Sequence, residues 1–271
     1  MPLALVTGAS AGIGFQLARQ LAERGYDIVG VGASERVADL GARLQGVQGV
    51  QGVQGVQGVQ VVPVQADLAT AEGVDRVWAA VEDADRPLDV ACLNAGRSLG
   101  GAFLDTDLDD ELAMLALNVT GQVRLAKRVV RHMAPRRAGH LLVTTSCSAL
   151  TPTPYESIYG PTRSFMLSFA EGLREEMREH GVVVTALLPG ATATDFHRSA
   201  GMGATKFGSN DWKNDPALVA RQGLEALFAD QDHVVGGNRA TQEDAARNRT
   251  LSDPVKAKEF ARSSRPGPQR E

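Results

Sequence analysis

The feature that most restricts this chain sits at its N-terminal end. An apolar run, Leu3-Ala4-Leu5-Val6, gives way to Thr7-Gly8-Ala9-Ser10-Ala11-Gly12-Ile13-Gly14. A helical pattern over residues 15–24 follows and is closed by Gly25. A short apolar run without polar alternation reads as a strand buried on both faces, as in a parallel sheet. Strand, glycine turn and helix form the front of a phosphate-binding βαβ unit. Glycine lets the backbone turn tightly and lets a pyrophosphate come close. The first N–H groups of the helix and its positive dipole end then face that anion. Gly8, Ser10, Gly12, Ile13 and Gly14 are therefore candidate cofactor-binding residues. A plain strand-to-helix loop has the same local look, and what favours binding is the α/β alternation that continues along the chain.

Further apolar runs lie at residues 27–31, 61–64, 88–93, 141–143 and 182–188, with helical patterns between them and a short final run at Val234-Val235. This alternation predicts an α/β fold: a Rossmann-type, doubly wound parallel sheet of about seven strands with helices on both faces, three layers in all. With 271 residues, one domain over 1–262 is expected, with a frayed tail at 263–271. Residues 46–60 are five tandem Gly-Val-Gln triplets whose period of 3 matches neither strand nor helix, so an expanded surface loop without catalytic duty is expected. The net charge of −4 gives no reason to bind nucleic acid or an anionic membrane. No apolar run approaches the roughly 20 residues of a spanning helix, and the N-terminus lacks a signal-peptide pattern. Two cysteines, Cys92 and Cys147, suggest no disulfide framework, so a cytoplasmic location is expected. The five histidines have no ligand spacing, and no metal site is expected.

The remaining cofactor candidates fall at strand ends. After the second strand the chain reads Gly32-Ala33-Ser34-Glu35-Arg36, with no acid before Glu35 to repel a 2′-phosphate. Ser34 and Arg36 could receive that phosphate, which leans towards NADP(H), with NAD(H) possible and a merely solvated Arg36 nearly as good an account. Asp67 and Leu68 follow the third strand, and Asp67 could accept from an adenine amino group. Asn94, Ala95 and Gly96 follow the fourth, where an amide could tie loops together and a glycine could pass beneath a ribose. Pro189, Gly190, Thr192 and Thr194 follow the 182–188 strand. Residues 192–215 read as a substrate lid. An acidic stretch at 105–111 precedes a helical pattern over 107–134 that ends in basic residues, as the macrodipole prefers. Asn118 stands inside that helix, where asparagine is a poor former and can hold a water or bend the backbone.

After the 141–143 run comes Ser146, then Tyr159 and Arg163, four residues apart at the head of another helical pattern. That spacing puts the phenol and the guanidinium on one helix face. Taken together, Thr7-Gly-x-x-x-Gly-Ile-Gly14, Asn94-Ala-Gly96, Asn118, Ser146, Tyr159 and the Pro189-Gly190 turn resemble the short-chain dehydrogenase/reductase family over about residues 3–237. The resemblance implies that Tyr159 exchanges the proton of a reacting carbonyl or alcohol. It further implies that Ser146 bonds the same oxygen and that Asn118 holds a relay water. A nicotinamide would give or take the hydride. It also implies a homodimer or homotetramer pairing the helices at 107–134 and 157–179. Arg163 stands where the family has lysine, which grips the nicotinamide ribose and lowers the tyrosine pKa. Arginine keeps the charge and can bond ribose hydroxyls, but cannot readily release a proton. The reading is an NADP(H)-dependent oxidoreductase acting on a small to medium, mostly uncharged carbonyl or secondary alcohol. The alternatives are a cofactor-binding sensor or scaffold with little turnover, and non-redox dehydration or cyclisation in the same pocket.

Overall fold

The computed structural model describes residues 1–45 and 58–266, so most of the Gly-Val-Gln stretch and the last five residues lie outside the described residues. Seven strands form one parallel sheet: β1 Leu3–Thr7, β2 Asp27–Gly32, β3 Val61–Gln65, β4 Leu88–Leu93, β5 Gly139–Thr144, β6 Val182–Pro189 and β7 His233–Gly236. Their order is β3-β2-β1-β4-β5-β6-β7. The winding reverses between β1 and β4, and the crevice beyond their carboxyl ends is where such sheets bind ligands. β3 is an edge strand, which tolerates Pro63 and its missing donor.

The helices are α1 Gly12–Glu23, α2 Leu40–Gln45, α3 Ala71–Glu82, α4 Leu108–Leu115, α5 Gln122–Met133, α6 Tyr159–Arg178, α7 Phe196–Ser199, α8 Pro216–Phe228, α9 Arg239–Asn248 and α10 Asp253–Ser264. The unbroken apolar run of β1 is explained by two cores. Ala4 and Val6 face one core with Leu17 and Leu21 of α1, Leu40 of α2 and Leu224 of α8. Leu3 and Leu5 face the other with Val77 of α3, Leu125 and Val129 of α5 and Met166 of α6. Side chains alternate across a strand, so a strand covered on both faces must be apolar at every position.

Two stretches differ from the sequence expectation. The helix expected over 107–134 is interrupted by a π-helical turn, Ala116–Gly121, between α4 and α5. The extra residue lets Asn118 turn its amide inward, while Gly121 passes so close to Leu68 that an added Cβ would lie 1.9 Å from its carbonyl oxygen. Past residue 230 the sequence shows only a short strand, yet α9 and α10 follow it. Each buries a single residue, Ala245 and Ser264, so neither carries a readable apolar stripe. Residues 263 and 264, expected in a frayed tail, complete α10, and the Ser264 hydroxyl donates to the Pro154 carbonyl at 2.8 Å.

Candidate active site

The first side of the site is the glycine turn. Gly8 and Gly12 have φ of +70° and +55°, a region that favours glycine. A Cβ at Gly12 would lie 2.9 Å from Thr194 Cγ2, and one at Gly14 would lie 2.1 Å from the Gly8 carbonyl oxygen. The turn is held from outside by Arg43, which donates to the Ser10 carbonyl at 2.7 Å. From inside it is held by Thr7, whose Oγ1 accepts from Asn94 N at 2.8 Å and Ala95 N at 3.0 Å. Asn94 Nδ2 donates back to the Thr7 carbonyl at 3.1 Å, so the amide ties the ends of β1 and β4 together. Helix α1 starts on Ala11 with no side-chain cap and no acid in its first turn. By contrast, Thr70, Asp107, Asp215 and Asn238 cap α3, α4, α8 and α9. The α1 donors are thus left for an outside anion.

The second side carries Ser146, Tyr159 and Arg163. Ser146 follows β5, and its Oγ accepts from Ser148 N at 3.0 Å, which leaves the hydroxyl hydrogen free to donate. Tyr159 opens α6, and the Arg163 guanidinium lies over its ring, Cζ 4.9 Å from the centroid. Arg163 is 3% exposed and donates to the Thr144 carbonyl at 3.4 Å, while its Nε has no partner among the described residues. It is seated against Gly96, where a Cβ would come 2.2 Å from Nη2. Burial pushes the Tyr159 phenol above its usual pKa, while Arg163 and Ser146 act downwards and Glu156 upwards. The guanidinium therefore opposes a desolvation effect that is larger than its own pull. Asn118 is fully buried. Its Oδ1 accepts from Arg97 N at 2.9 Å, and its Nδ2 donates to the Arg97 carbonyl at 2.8 Å and to Thr162 Oγ1 at 3.2 Å.

Both sides open into one cavity of about 740 Å³. It brings together Gly8, Ser10, Gly12, Ile13, Arg36, Asn94, Ala95, Gly96, Ser146, Tyr159, Arg163, Pro189, Gly190, Thr192 and Thr194. Gly14, Ser34, Asp67, Leu68 and Asn118 do not line it. Gly14 packs the helix start on Gly8, and Ser34 is exposed beyond β2. Asp67 accepts from Ala69 N at 2.9 Å, and Leu68 is buried in the core. The 192–215 stretch lies over the cavity and is pinned at its base by a bridge between Thr192 and Asn214. His197, Phe207 and Trp212 reach the cavity from the expected 192–215 stretch, whereas sequence reasoning did not single out Glu156, Asp244 and Phe260, which only folding delivers here. The one available signal was Glu156, an acid one turn ahead of Tyr159.

The match to known proteins decides the family. Residues 2–204 match the short chain dehydrogenase family. The chain belongs to that family. Among its relatives are an uncharacterized short-chain type dehydrogenase/reductase of Sinorhizobium fredii, 33% identical over 199 residues and 73% of each chain, and a 3-oxoacyl-[acyl-carrier-protein] reductase of Synechocystis, 31% identical over 195 residues, 72% of this chain and 75% of that one. Among solved structures it is similar to a short-chain dehydrogenase from Sphingobium yanoikuyae in complex with NADPH, at TM-score 0.76 and 28% identity over 91% of this chain and 92% of that one. As a short-chain dehydrogenase it is an NAD(P)-dependent oxidoreductase with a small-molecule substrate. The glycines whose Cβ positions are blocked, the uncapped α1 and the Arg163 Nε without a partner among the described residues fit a nicotinamide dinucleotide in this cavity. Among the described residues no helix is long and apolar enough to cross a membrane.

Proposed function

We propose that the protein is an NADP(H)-dependent carbonyl reductase or secondary-alcohol dehydrogenase with Tyr159 as its general acid and base. The observation that carries this reading is the sharing of one cavity by the glycine turn and Arg36 at one end and Ser146, Tyr159 and Arg163 at the other. The bound nicotinamide would supply or accept the hydride. In reduction the Tyr159 hydroxyl donates its proton to the substrate oxygen, while the free hydrogen of Ser146 bonds that same oxygen as charge builds on it. Arg163 stabilises the phenolate left behind and would bond the ribose hydroxyls of a bound dinucleotide. Arg36, with no acid on β2 beyond the buried Asp27, would receive a 2′-phosphate, and the NADPH in the Sphingobium yanoikuyae protein supports that preference.

The substrate wall supports an uncharged, apolar partner of some width. Phe196 packs 5.5 Å from the Tyr159 ring, and Phe207 contacts His197, Trp212 and Phe260. Burial lowers the His197 pKa to about 4, so this wall carries a neutral imidazole at working pH. Exposed Phe103, Leu104, Leu108, Leu112 and Phe165 on and beside α4 and α6 support a homodimer or homotetramer pairing those helices. Free cysteines support a cytoplasmic location.

The test is NADPH oxidation followed optically against a panel of ketones and aldehydes, with NADH in parallel. Turnover with bulky aromatic or alicyclic ketones, lost by a factor of 10²–10⁴ in Tyr159→Phe, is the expected result. Dinucleotide binding with no hydride transfer to any carbonyl or from any alcohol would leave a sensor or a non-redox lyase.

A further inference from the structure

The mechanism above leaves one buried group unused. Glu156 is 2% exposed and lines the same cavity as Tyr159 and Arg163. Its Oε1 accepts at 2.6 Å from the hydroxyl of Ser98, a residue on the segment that follows β4, the strand next to β5. Its second oxygen has no partner among the described residues and is not sealed from solvent. Arg163 mirrors this. It is buried, holds one long bond to a carbonyl, and forms no ion pair with any carboxylate among the described residues. A buried acid and a buried base in one cavity, each short of partners, are electrostatically linked without touching. The charged or titratable groups acting on Glu156 are Arg163 and Tyr159 on α6, and the uncharged Ser98 hydroxyl bonds it from the segment after β4. Burial is the largest influence and raises the Glu156 carboxyl to about 7.

We propose that Glu156 is a positioning residue of the proton transfer: its carboxyl and the Tyr159 phenol share the guanidinium of Arg163, one anion at a time, and Glu156 supplies the exchangeable proton that arginine cannot. The inference rests on Tyr159 being the acid and base. In reduction the Tyr159 O–H bond breaks and an O–H bond forms on the substrate oxygen, leaving a phenolate under the guanidinium. The protonated Glu156 then releases its proton through cavity solvent to the phenolate and becomes the anion that Arg163 stabilises. Solvent returns one proton to Glu156, so each turnover takes up one proton overall. Oxidation runs the same path backwards. A lysine at 163 could lose and regain a proton itself; an arginine cannot, and the acid at 156 makes up the deficit.

The first readout needs neither cofactor nor substrate. The ultraviolet tyrosinate titration of Tyr159 is taken as the difference between the chain and its Tyr159→Phe variant, each with and without Glu156→Gln. An ionised Glu156 opposes the phenolate, so Glu156→Gln moves the Tyr159 midpoint to lower pH; an unchanged or higher midpoint overturns the proposal. The second readout is kcat for reduction of whichever panel carbonyl turns over with NADPH. Above about 7 the wild-type kcat falls tenfold per pH unit, and in Glu156→Gln that fall is absent. If Tyr159→Phe leaves turnover intact, the reading of Tyr159 fails. If Tyr159→Phe abolishes turnover while Glu156→Gln keeps the wild-type profile, only the Glu156 proposal fails. Should Glu156→Gln not fold, Ser98→Ala serves. Loss of the donor shifts the Glu156 carboxylate band in the infrared to higher pH along with the kcat inflection, and an inflection that stays put while the band moves overturns the proposal.

Discussion

Replacing Glu156 by glutamine has a consequence for folding that is independent of any substrate. In the unfolded chain this carboxyl titrates near 4.5, and in the folded protein burial raises it to about 7. The difference of roughly 2.5 units corresponds to about 3 kcal/mol at 1.36 kcal/mol per unit. The sign follows from proton linkage. The folded state binds the proton more tightly, so the contribution is fully present below about 4.5 and is lost as pH rises through about 7. Glutamine keeps an oxygen to accept from Ser98 and never ionises. The stability of Glu156→Gln minus wild type, in the ligand-free protein, should therefore rise by about 3 kcal/mol between pH 4.5 and pH 8, equivalent to roughly 6–12 °C in Tm. Urea unfolding at several pH values measures it, and the difference between the two proteins cancels every group they share. A difference that does not change with pH would refute the reasoning, because it would mean that the carboxyl is either solvated or paired at all pH values.

Four further substitutions have outcomes that follow from the same geometry. Gly12→Ala meets both a φ of +55° and a methyl carbon of Thr194 at 2.9 Å, so it should weaken NADPH binding at least about tenfold at a strain of about 1–2 kcal/mol, read by fluorescence titration, with the far-ultraviolet spectrum unchanged. Arg36→Ala removes a charge-assisted contact of about 1.5–3 kcal/mol, so NADPH affinity should fall roughly ten- to a hundredfold while NADH affinity barely moves; an equal loss for both would place Arg36 away from the 2′-phosphate. Arg163→Lys keeps a cation beside the phenol and adds a releasable proton, so kcat should hold or rise; Arg163→Met takes away the group that draws the Tyr159 pKa down, so the phenol should titrate at higher pH and turnover should drop.

Much of this protein could be read from local pattern. The run Leu3-Ala4-Leu5-Val6 is apolar at every position because the sheet is covered on both faces, and that fact alone points to a parallel α/β fold. The glycines at 8, 12 and 14 announce a turn whose Cβ positions are blocked, and Asn94 occupies the place where its amide joins two strand ends. Tyr159 and Arg163 meet because four residues on a helix make one turn. Such features depend on neighbours in sequence, so spacing and residue type are enough to reveal them.

What folding alone decided depends on residues far apart in the chain. Helices α9 and α10 were invisible because each buries one residue; α9 is held by its Asn238 cap and α10 by single bonds such as Ser264 to Pro154. The interruption at Asn118 arises from Leu68 and Arg97, segments that the helix meets only after the sheet has assembled. Glu156 shows this most clearly. In the sequence it is one more acid in a loop, and its chemistry comes from Ser98, 58 residues earlier, and from a desolvation that no local pattern encodes. Sequence determines which groups a turn of helix or a strand end will present; the pKa of a buried acid is set by everything packed around it, and that shell exists only in three dimensions.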